Sequence, residues 1–146
     1  MKNFDERQIL IKSNIFKRMF WIMSILVLAN GLLARFFDII WADTYYSSVI
    51  IFFVVLAFGS IEMIFREVYY INLRQQKFII VFGSCGLLLC ILNVVHLIRG
   101  AEFISDGMLA EAGGSFIYSL LILSIGIGGA VKIIMDRVCR SGEEEE

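Results

Sequence analysis

The 146-residue sequence predicts an all-α polytopic membrane protein, a bundle of four transmembrane helices with both termini cytoplasmic, and three observations predict it. Hydrophobic residues make up 59% of the chain and charged residues 18%, whereas soluble domains average about 45–50% and about 25%. Four apolar runs of about 20 residues stand apart from one another, the length a helix needs to cross the hydrocarbon core. The cations gather at one set of run ends, which sets orientation. The formal net charge of −1 points to no nucleic-acid partner and no acidic substrate.

Residues 1–18 form a basic lead. Asn3 with Glu6 three residues on matches a capping box, and Phe4, Ile11, Ile15 and Phe16 fall on one side of a helix between basic residues. Either a short interfacial helix turns into the first span, or that span simply starts early. The lead contains Asp5 and Glu6 and is followed by no small-x-small site, so it reads as an uncleaved anchor rather than a signal peptide. The transmembrane domain occupies 19–139, with span 1 at about 19–41, span 2 at about 47–65, span 3 at about 78–98 and span 4 at about 115–135. An acidic cytoplasmic tail covers 140–146. The chain has no proline, so none of the spans carries a proline kink.

Lys2, Arg7, Lys12, Lys17 and Arg18, then Arg66, Arg74 and Lys77, then Lys132, Arg137 and Arg140 fall on one side of the spans; Arg35 and Arg99 fall on the other. Cations flanking a span are retained in the cytoplasm, so both termini and the loop between spans 2 and 3 are expected there. Trp41, Tyr45 and Tyr46 at the first outer turn, and Tyr69 and Tyr70 at the inner one, fit interfacial aromatic belts.

Ionisable side chains in a bilayer are costly and mark the places where polar chemistry would sit. They fall in two layers. In the outer half, Arg35 and Asp38 are spaced to pair on span 1, and Asn93, His96 and Arg99 form a stripe on span 3. An Asp38–His96 contact there would line a small pocket for a ligand, proton or ion, or else belong to a structural hydrogen-bond cluster. In the inner half, Glu62 and Lys132 lie at nearly equal depth and are expected to pair across the bundle, with Arg66 and Asp136 four residues on completing a ring. Glu62 could serve as a proton relay; a neutralised structural pair is the commoner arrangement. Asn30 falls near the midplane.

Span 4 carries Ser124, Gly126, Gly128 and Ala130, whose small-x-x-x-small spacing permits close helix approach, either inside the bundle or in a homo-oligomer. Cys85, Cys90 and Cys139 form no redox or zinc spacing and read as small buried thiols. A single histidine leaves no bis-histidine haem or histidine-rich metal site within one chain. Neither a G-x-S-x-G elbow nor a phosphate-binding glycine loop occurs, so no enzyme, no metal and no cofactor is expected.

The opening Asp5-Glu6-Arg7-Gln8, followed by a basic linker and four short spans, resembles small bacterial four-span membrane proteins with an N-terminal Asp-Glu-Arg motif. That resemblance implies a bacterial inner-membrane location and an accessory or regulatory role, and supplies no catalytic residues. The four-span layout is also similar to that of small multidrug resistance transporters, but Asn30 stands where those have a central membrane glutamate. The expected function is therefore a non-enzymatic accessory, regulatory or immunity-type membrane subunit. It would act through helix contacts with itself or another membrane protein, with the lipid bilayer as its other partner. The alternative is a small oligomeric ion- or proton-coupled transporter or channel using the charged layers.

Overall fold

The computed structural model describes residues 6–66 and 73–143; the side chains at 73–76, 78 and 139–143 lie outside that description, as do Asn3, Tyr69 and Tyr70. Four helices account for most of it: α1 (Glu6–Phe36), α2 (Thr44–Phe65), α3 (Leu73–Ile98) and α4 (Glu111–Glu143), with a two-stranded hairpin, β1 (Ile104–Ser105) and β2 (Met108–Leu109), before α4. Each helix is long and apolar enough to cross a membrane. From Glu6 onward the basic lead is the first part of α1, continuous with the span. Likewise α4 continues past the expected end of span 4, to Glu143.

Span 1 ends at Phe36, five residues short of the expected Trp41. Asp38 takes a left-handed conformation, φ 52°, which turns the chain off the helix axis, and the Ile39 N–H returns to the Leu33 carbonyl at 3.3 Å. Aspartate tolerates this region better than most side chains, and hydropathy carries no sign of it. Asp43 then caps α2, its carboxylate accepting from the Tyr45 N–H. At the end of α3, Gly100 is left-handed (φ 97°); its N–H donates to Leu97 O and the Ala101 N–H to His96 O, a Schellman closure.

The hairpin turns on Asp106-Gly107, both with positive φ, as the tight right-twisted turn requires. Its second strand reaches the α1–α2 connection: the Leu109 N–H donates to Trp41 O at 2.8 Å, and Ala42 bridges Leu109. Both connections are thereby tied together at one end of the molecule, the hairpin end, with Ala42 and Ala112 buried beneath them.

The helices pack as a row rather than a closed ring. Their main contacts run α1 against α2, α2 against α4, and α4 against α3. Helix α4 thus lies between α2 and α3, and α1 is held along one edge. On α4, Ile125 and Ser119 are fully buried, while α2 buries Val55 and Ala57; Phe53 of α2 stacks on Tyr118 of α4 at 5.9 Å between ring centroids.

Candidate functional site

Polar side chains are concentrated in three places, and each ties one helix to another. Near the hairpin end of the α1–α2 seam, Asn30 Oδ1 accepts from Trp41 Nε1 at 2.7 Å and its amide donates to Ser47 Oγ at 3.3 Å. Ser47 is buried and donates onward to Thr44 O. Because α1 stops at Phe36, Asn30 lies about 9 Å from the helix end, toward the hairpin rather than at the centre of the span. Trp41 is thus held by a hydrogen bond across the turn, and Tyr46 packs on Gly114 of α4; of the three expected belt residues, Tyr45 alone is exposed.

At the α3–α4 seam, the Asn93 amide donates to Leu89 O at 2.9 Å, to Ser119 Oγ at 2.9 Å and to Ser115 O at 3.4 Å. Ser119 donates to Ser115 O at 2.6 Å and is completely enclosed. Asn93 therefore points into this seam and is not part of an outer pocket. Arg35, Asp38, His96 and Arg99 are exposed at the hairpin end, and among the described residues no ion pair joins Asp38 to Arg35 or to His96. The expected outer layer of Arg35, Asp38, Asn93 and His96 is thus not assembled. Asp38 has left the helix that would have stacked it beside Arg35, and α1 and α3 stand at opposite edges of the row.

The third place is the opposite end of the α1–α2 seam. Glu62 Oε1 accepts from Arg18 of α1 at 2.7 Å and from Arg66 at 2.8 Å, so one carboxylate ties two guanidiniums. Glu62–Arg66 is the expected four-residue pair, but the cross-helix partner of Glu62 is Arg18 of α1 and not the expected Lys132 of α4, because α1 is the helix that packs along this face of α2. The signal for Arg18 was present: in antiparallel neighbours, the start of span 1 and the end of span 2 lie at the same depth. Lys132, largely buried, pairs with Asp136 at 2.7 Å on α4, again the expected four-residue spacing.

Beside the Arg18–Glu62–Arg66 cluster an apolar groove of about 630 Å³ runs between α1 and α2. Ile15, Met19 and Ile22 line it from α1, and Val54, Val55, Phe58, Ile61 and Phe65 from α2, with Arg18 and Glu62 within a turn of the end where Ile15 and Phe65 lie. At the Arg18 end, Ile15 and Met63 form a buried contact joined by Ile11 and Met19. At Gly59 the Met19 thioether occupies the space a side chain would need.

The small residues of α4 face its neighbours within the chain. A Cβ on Gly126 would meet the Gly83 backbone of α3, and one on Gly129 would meet Ile79 at 2.6 Å. Gly86 of α3 lies against the Leu123 backbone, and Gly128 faces Ile61 of α2. Ser124 bonds back to Leu121 O, and Ala130 is exposed. Of the cysteines, Cys90 is buried, but Cys85, expected buried, is exposed on the outer face of α3; Cys139 has no described side chain. Among the described residues no group of His, Cys, Asp and Glu could hold a metal, and no buried side-chain polar atom lacks a hydrogen-bond partner. Comparison with protein-family models, with curated proteins and with solved structures finds no match.

Proposed function

We propose that the protein is a non-enzymatic subunit of a bacterial cell membrane, with both termini cytoplasmic, that acts by binding another membrane protein in an accessory, regulatory or immunity-type role. The observation that supports this reading is how the intramembrane polar groups are used. Asn30, Asn93, Glu62 and Lys132 are each engaged in ties within the chain, and the groove beside Glu62 is lined almost wholly by apolar side chains. A transport path needs polar side chains facing a wet cavity, and these side chains are committed elsewhere. An open row also leaves its edge helices with free faces: α1 buries Ile15 alone among its residues. The glycine face of α4 is occupied by α2 and α3, so the binding surface assigned here is α1 and α3 rather than the expected Ser124–Ala130 stripe.

Mild detergent extraction from native membranes, followed by mass measurement of the intact assembly, tests this. A complex heavier than the 16.7 kDa chain, with a stoichiometric second subunit, is the expected result. A partnerless monomer that carries ion flux in proteoliposomes, with the flux abolished by Glu62→Gln, overturns it in favour of the transporter.

A further inference from the structure

We propose that the groove between α1 and α2 is a lipid site that takes one acyl chain of an anionic phospholipid, with the lipid phosphate held by Arg18 and Arg66. This goes beyond the partner-binding reading and stands or fails separately from it.

Length is the first argument. From Val54 to Phe65 the lining runs along about 16 Å of α2 at about 1.5 Å per residue, and one leaflet is half of a hydrocarbon core about 30 Å thick. The groove therefore has about the length of one leaflet, and Arg18 and Glu62 stand within one turn of the end closed by Ile15 and Phe65, so a chain lying in it brings its headgroup beside the charged cluster. Lining is the second. Transmembrane helices seat against small residues that let backbones approach, whereas this groove is walled by Ile, Val and Phe, and its single glycine, Gly59, is already covered by Met19. A narrow flexible chain fits such walls; a helix does not.

Charge is the third. Two guanidiniums around one carboxylate leave one net positive charge at the mouth of the groove. Each guanidinium has five N–H donors in a fixed fork, and the side chains of Arg18 and Arg66 remain 52% and 55% exposed. Glu62 thus holds both forks in place while leaving donors free for phosphate oxygens, which arginine matches in a bidentate manner. Basic pockets between transmembrane helices select anionic headgroups in this way.

The test is native mass spectrometry of the full chain in a neutral detergent, titrated with phosphatidylglycerol or with phosphatidylcholine of the same acyl chains. The expected result is one phosphatidylglycerol bound per chain, about fivefold more tightly than phosphatidylcholine, the size of effect one cation exerts on an anionic lipid. The neutral triple variant Arg18→Gln/Glu62→Gln/Arg66→Gln should lose the preference. Val54→Phe, which narrows the groove and keeps the cluster, should weaken both lipids. Glycerol 3-phosphate, the headgroup without chains, should not displace the lipid. Equal binding of the two lipids by the wild-type chain overturns the proposal without reference to any variant. So does a preference that survives the triple variant, or displacement by the free headgroup. Cross-linking of Phe58→Cys to a second copy would place a helix where the chain is assigned, and would also overturn it.

Discussion

The α3–α4 pair and the α1–α2 pair solve one problem, joining two apolar helices in a medium as apolar as they are, by different means. Between α3 and α4 the backbones meet: Gly126 lies on Gly83 and Gly86 on Leu123, so that a methyl group at either glycine would collide with main chain. Asn93 then stitches the seam to the enclosed Ser119. Between α1 and α2 the one glycine at the groove, Gly59, is met by the flexible Met19 side chain and not by backbone; polar ties at the two ends hold the helices on either side of a groove. Where lipid competes equally for apolar surface, association rests on van der Waals packing and hydrogen bonds. A seam rich in glycine can rely on packing. A seam poor in glycine depends on its polar clamps and keeps a groove between them.

The largest expected effect comes from destroying that packing. Gly126→Leu should destabilise the folded state by about 3 kcal/mol, the upper part of the overpacking range, read as a shifted midpoint in detergent-driven unfolding followed by circular dichroism. Gly31→Leu is the control on the other pair. Nothing lies within 4 Å of a Cβ at Gly31, so stability should hold or rise by up to about 1 kcal/mol, since leucine is also the better helix former. Equal effects of the two substitutions would erase the contrast between the seams.

Next come the two amide clamps. Asn93→Ala and Asn30→Ala should each cost about 1 kcal/mol, the usual scale for interhelical hydrogen bonds in membranes. The consequences should differ in place. Asn30→Ala removes the acceptor of Trp41 Nε1 and should alter Trp41 emission, whereas Asn93→Ala should leave that emission unchanged. The smallest effect belongs to the ionic clamp. Glu62→Gln should cost less than about 1 kcal/mol, because Arg18 and Arg66 are half exposed and solvent screens the pair. Added salt should reduce even that difference. Hydrogen exchange should show faster opening in the first turns of α1 and little change in α3.

Much of this architecture was legible in the residues themselves. The four runs of Ile, Leu, Val and Phe mark helices, and the far ends of α2 and α3, Phe65 and Ile98, fall where spans 2 and 3 were expected to stop. The four-residue pairs Glu62–Arg66 and Lys132–Asp136 also follow from spacing along a helix. Two local features lie outside what hydropathy encodes. Ile104-Ser105-Asp106-Gly107-Met108-Leu109 carries the Asp-Gly turn of a hairpin between two short strands, and the left-handed Asp38 ends α1 before the hydrophobic run does. The partner of Asn93 is illegible in a local pattern, because Ser119 is 26 residues away on α4.

By itself, then, the sequence determined how many helices there are, how apolar they are, and the charge pairs Glu62–Arg66 and Lys132–Asp136 where the helix runs on, though not the loss of Arg35–Asp38 where α1 stops. These depend on neighbours within a turn or on length against the bilayer, which a linear pattern encodes directly. Only the tertiary structure decided that α4 lies between α2 and α3, that Glu62 binds Arg18, and that the glycines of α4 serve this chain's own helices. Those outcomes depend on which faces meet, and the bilayer offers every apolar face the same solvent. Shape and a few hydrogen bonds between distant residues make that choice, and hydropathy does not record them.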